Sequence, residues 1–136
     1  MSQRIQLHKL VQQAERLGRR HPIRSQHAQL ARIYDSINRA VFSGTLQRPR
    51  IRLSSSREFW GEIEVGYRGH RQGPRHTLCM RFARQFPSMK TMINTVAHEM
   101  VHQWEWERLG VMTHGVNFWS WQERMANRGV RLYAML

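Results

Sequence analysis

The sequence predicts an α+β fold, and three observations carry that prediction. Apolar residues recur at steps of three and four early in the chain, alternate with polar ones in the middle, and return to helical steps near the end. Glycines stand where one pattern gives way to the next, at Gly18, Gly44, Gly69 and Gly129. The length of 136 residues suits one domain, able to bury roughly two-thirds of its unfolded surface.

A first helix is expected over about residues 2–18, where Leu7, Leu10, Val11, Ala14 and Leu17 form one stripe. After a short basic linker, Ser25 is placed to cap a second helix running to about Phe42. Its inner stripe is Leu30, Ile33, Tyr34, Ile37 and Val41. Alternation then marks three strands, over residues 50–54, 62–68 and 77–82. Their short connections predict a small, mainly antiparallel three-stranded sheet. From Ser88 the helical period returns and continues to about Leu109, and a last helix is expected over about residues 116–127. The apolar tail from Val130 to Leu136 is expected to dock on the body.

Charge is the outlying bulk property. Twenty-two Lys and Arg, nearly all arginine, face nine acids, for a net charge of +13. The planar arginine fork suits phosphate, so a polyanion is the expected partner, nucleic acid ahead of anionic membrane. Three groups of arginines are candidates for it. They are Arg19, Arg20 and Arg24 in the first linker; Arg50 and Arg52, with Arg48, on the first strand; and Arg68, Arg71 and Arg75 around a hairpin. Each group is equally well read as a solvated face. Trp60 could stack on an unpaired base, but such a tryptophan more often packs in the core. The one cysteine, Cys79, excludes an intramolecular disulfide and any zinc ribbon of cysteine pairs. With no transmembrane run and no secretory leader, the cytoplasm is the expected compartment, with association to the nucleoid for so basic a chain. A monomer without membrane contact is expected.

The chemistry concentrates at residues 98–102, which read His-Glu-Met-Val-His. Residues four apart share a helix face, so His98 and His102 can reach one ion. Glu99 sits about a quarter-turn away, within reach of a water at that ion. On a helical wheel Ile93, Val96, Met100 and Trp104 lie opposite the histidines, so the helix is expected to bury one side and present its metal face to a cleft. A zinc hydrolase needs a third protein ligand and an open fourth position. His114, after a turn near Gly110, is the leading candidate and Glu123 its rival. The longer metzincin pattern is absent, since Glu105 and Arg108 stand where it needs glycine and histidine.

Three stretches go further: Asn38 to Leu46, Val96 to Trp104 around the motif, and His114-Gly115-Val116-Asn117-Phe118. Together they resemble the SprT-like family of zinc metallopeptidases, over about residues 30–125. The resemblance implies a zincin-like fold, one Zn2+ on His98, His102 and His114, and a catalytic Glu99. It also implies peptide-bond hydrolysis in proteins, often ones attached or crosslinked to DNA, as in DNA repair. Many relatives add a cysteine-based zinc ribbon, and with one cysteine this sequence places DNA contact on the catalytic domain itself or on a partner. Tyr67, His70 and His76 are candidates for stabilising an oxyanion. The competing expectation is a non-catalytic nucleic-acid-binding protein whose zinc is structural, closed by Glu123 or His76 as a fourth ligand.

Overall fold

The computed structural model describes residues 5–68 and 75–133, with backbone alone at 67, 68, 75 and 76. It is α+β. Helix α1 (Leu7–Leu17) leads through the short strand β1 (Ile23–Arg24) to helix α2 (His27–Val41). Strands β2 (Arg50–Ser54), β3 (Gly61–Arg68), β4 (Arg75–Ala83) and β5 (Gln85–Phe86) follow. The long helix α3 (Met89–Leu109) and two short ones, α4 (Val116–Trp119) and α5 (Gln122–Ala126), complete the fold.

The expected helices are present with shifted ends. The first begins at Leu7, not near residue 2; residues 1–4 lie outside the described part. Ser25 does not cap α2, whose N-cap is Gln26. The Ser25 hydroxyl instead donates to the Ala83 carbonyl at 2.6 Å. It is drawn there by the β1–β5 pairing, Ile23 opposite Phe86, which no alternating run announces. The expected last helix breaks in two, with the Ser120 hydroxyl donating to the Asn117 carbonyl at 2.6 Å. Phe118 of the first piece, Met125 of the second and Trp121 between them still turn inward.

The sheet is mixed, not mainly antiparallel. Its order is β2-β4-β3, with β2 parallel and β3 antiparallel to β4. The middle place belongs to β4, which carries the fully buried Met80 and Phe82; β2, with Arg50 and Arg52 exposed, is suited to an edge. The register puts Ile51, Leu53, Ile63, Val65, Met80 and Phe82 on one face, and the other face carries Arg50, Arg52, Glu62, Glu64 and Arg81. Arg81 bridges Glu62 and Glu64 there.

Helix α3 starts where the Ser88 hydroxyl accepts the Thr91 N–H at 3.1 Å and ends at Gly110, at φ 70°. It is buried nearly all round from Met89 to Gln103, polar residues included. The helix thus buries more than the one side expected, and His98 and His102 keep 6% and 8% of their surface exposed. α1 and α2 cover part of it, the sheet another part, and α4 with the tail the histidine side. Val130 and Leu132 are buried, so the tail docks as expected as far as it is described. Trp104 is half-buried against Trp121, rings 5.1 Å apart, and Trp60 stacks on Phe86 at 5.6 Å.

The sheet meets α3 most closely at Gly61. A Cβ there would lie 2.7 Å from Thr95 Cγ2 and 3.1 Å from the Phe82 ring, and both residues are fully buried. Gly61→Ala is expected to cost about 1–3 kcal/mol through overpacking. Urea unfolding should show a lower midpoint at unchanged slope.

Candidate metal centre

His98 and His102 sit one turn apart on α3, 6% and 8% exposed. His114 reaches them from the loop after Gly110 and is itself exposed. The three Nε2 atoms form a near-equilateral triangle, with sides of 3.1 Å from His102 to each of the others and 3.3 Å between His98 and His114. Among the described residues these three form the group able to hold a metal ion.

The far nitrogens decide what the near ones can do. His98 Nδ1 lies 2.8 Å from the Tyr133 carbonyl, which only accepts, so that nitrogen carries the proton. His102 Nδ1 lies 2.9 Å from the Glu105 carboxylate and donates to it. In the neutral rings both Nε2 atoms are then bare lone pairs, and the 3.1 Å between them is not a hydrogen bond. Converging lone pairs repel unless a cation lies between them. Tetrahedral zinc, with Zn–N near 2.0–2.1 Å, requires ligand nitrogens about 3.3 Å apart. The triangle fits that spacing.

Phe118, fully buried, forms the floor. Its ring centroid lies 5.0 Å from those of His98 and His102 and 5.1 Å from that of His114. A family model described as the SprT-like family matches residues 30–134. The chain belongs to the SprT-like family. No curated protein and no solved structure gives a match. The matched span of this SprT-like chain takes in all three histidines, and also the tail through Tyr133 whose carbonyl orients His98.

Electrostatics in the SprT-like site favour the neutral form of His98 and of His102. Burial, with His102 nearby, pushes the His98 pKa down to about 4. Burial also lowers that of His102, against the opposing pull of its hydrogen bond to Glu105. Glu99, 4% exposed, is pushed up to about 8 by burial and secondarily by the charge of Glu62. Its Oε1 lies 4.0 Å from His98 Nε2, too far for a direct bond and suited to one intervening water.

The rival ligand Glu123 stands exposed on α5, outside the histidine group. Of the oxyanion candidates, Tyr67 and His76 have no described side chain and His70 lies outside the described residues. The same holds for Arg68 and Arg75, and for Arg71. Arg19, Arg20, Arg24, Arg50 and Arg52 are all exposed. Only Arg19 among them lines the cavity of about 880 Å3 formed with Trp60, Lys90, Arg131 and Tyr133. No described helix is long and apolar enough to cross a membrane.

Sequence reasoning missed Glu105 and the Tyr133 carbonyl. Glu105 had a usable signal, an acid three residues beyond a histidine on the same helix face. Tyr133, 35 residues from His98, had none, because a backbone carbonyl leaves no mark on residue identity.

Proposed function

We propose that this chain is a zinc metallopeptidase of the zincin type, with Zn2+ on His98, His102 and His114 and Glu99 as general base. The observation that carries the reading is the Nε2 triangle, with the tautomers of His98 and His102 set by Tyr133 and Glu105. A zinc ion held there supplies Lewis acidity toward water and a peptide carbonyl. Three protein ligands leave a fourth direction for reactants, as hydrolysis requires. Glu99 takes the proton from the attacking water and returns it to the leaving amine. A zinc ion beside it would favour the ionised carboxylate, the form that accepts that proton. Burial of Glu99 and both helix histidines limits competing solvent around the reacting atoms.

The substrate reading is proteins associated with or crosslinked to DNA, and it rests on charge. Beyond the net +13, the cavity beside the tail brings Arg19, Lys90 and Arg131 together with Trp60 and Tyr133, and no acid is among its described lining residues. Lys90 is shared with Glu15 at 3.0 Å. Cations beside aromatic rings suit a single strand, phosphates on the former and bases on the latter. The single cysteine fits a reducing cytoplasm, where the chain would act as a monomer.

The deciding experiment measures zinc content and cleavage of a basic DNA-bound protein, with and without single-stranded DNA. Near-stoichiometric zinc is expected, with cleavage lost to a chelator and restored by zinc. An Arg19→Ser/Arg131→Ser variant should bind the strand more weakly, with a shallower salt dependence. Zinc bound at full occupancy without any cleavage would favour the structural-zinc alternative.

A further inference from the structure

Glu105 is fully buried on α3, and the function proposed above uses it only to set the tautomer of His102. Its Oε1 accepts the His102 Nδ1–H at 2.9 Å. The same oxygen accepts the Thr113 backbone N–H at 3.4 Å, and Oε2 accepts the Thr113 hydroxyl at 3.3 Å. That hydroxyl in turn accepts the Gly115 N–H at 3.2 Å. His114 lies between these two tethered residues.

We infer that Glu105 is a positioning residue that couples two of the three zinc ligands, holding His102 directly and His114 through Thr113. The inference rests on the metal reading above. A buried carboxylate is costly unless its oxygens are satisfied, and this one is satisfied by a ligand ring and by the residue beside another ligand. The two Thr113 bonds are long and individually weak. They matter because His114 is exposed, so its ring is not held by burial and depends on its own backbone and on Phe118. The charge of Glu105 acts through His102 as well. A carboxylate on Nδ1–H makes Nε2 a stronger donor to a metal and offsets part of the ion's charge, which three neutral imidazoles leave uncompensated. Helix and loop ligands are thereby assembled as one unit around a single side chain.

The test is the zinc dissociation constant of the full chain, measured by competition with a chromophoric chelator. The proteins are wild type, Glu105→Gln, Thr113→Val and the double variant. Glutamine keeps the volume and removes the charge. Glu105→Gln is expected to weaken zinc about 10- to 100-fold, and Thr113→Val to weaken it several-fold. The double variant should be weaker than Glu105→Gln by less than the Thr113→Val factor, because both act through one carboxylate. The His102 Nδ1–H resonance should shift in Glu105→Gln and stay in place in Thr113→Val. A folded Glu105→Gln that binds zinc within about threefold of wild type overturns the inference, even if its stability falls, since a merely structural staple would do that. If Glu105→Gln does not fold, Thr113→Val decides, its site being exposed: unchanged affinity overturns the inference, weaker affinity supports it. A wild type that binds no zinc overturns the metal reading and this inference together.

Discussion

Replacing Glu99 with glutamine is expected to abolish cleavage, retain zinc and remove a pH-dependent weakness of the metal-free fold. Losing a general base lowers turnover about 10²–10⁴-fold, while all three imidazoles remain. The stability effect follows from burial. The Glu99 pKa rises from an ordinary 4.5 to about 8 in the folded chain, so between those values the folded state holds a proton that the unfolded state has released. The stabilisation is complete below pH 4.5 and is lost as pH rises through 8. A tenfold change in proton affinity corresponds to about 1.4 kcal/mol, so metal-free wild type should lose about 3 kcal/mol between pH 5 and pH 8 from this group. Glutamine has no proton to lose, and its curve should lack that slope. His98 contributes the opposite trend at lower pH: with its pKa depressed from 6.5 to about 4, it costs stability as pH falls through that window. Urea titrations of both metal-free proteins at pH 5 and pH 8 check this. Parallel pH profiles would show that Glu99 is not a buried acid in the free protein, and undiminished cleavage by the variant would remove it from the mechanism.

Phe118→Ala should be the most damaging single truncation in the core. The ring is fully buried and touches all three histidines at about 5 Å. Such a truncation costs about 3–5 kcal/mol in lost transfer energy and cavity, against a total stability of about 5–15 kcal/mol for a domain of this kind. The metal site is expected to suffer beyond the fold, because the ring is the surface on which helix and loop ligands meet. Zinc affinity should therefore fall even where the protein is fully folded, and Phe118→Leu, which refills much of the space, should recover stability ahead of affinity. Equal losses in zinc affinity for Phe118→Ala and for a comparably destabilising core truncation away from the three histidines would reduce Phe118 to ordinary core packing.

What was legible in the sequence was whatever is local. The 3.6-residue period located the helices, because a helix that buries one stripe must repeat it every turn; the two-residue period located β2, β3 and β4. The four-residue spacing of His98 and His102 placed both rings on one face before any coordinates. Caps and breaks were less legible. Ser25 reads as a helix cap until a strand pairing tens of residues away claims its hydroxyl.

By itself, then, the sequence determined the order of the main helices and of β2, β3 and β4, the helix that carries the His-Glu-x-x-His motif, and the basic character of the chain. Tertiary structure alone decided that β2 runs parallel to β4, that α3 is buried nearly all round from Met89 to Gln103, and that Glu123 stays outside the cluster. It alone brought His114, Glu105 and the Tyr133 carbonyl around the two helix histidines. The reason is physical: periodicity records which side of an element faces inward, whereas the partner it meets there depends on long-range packing that no single segment encodes.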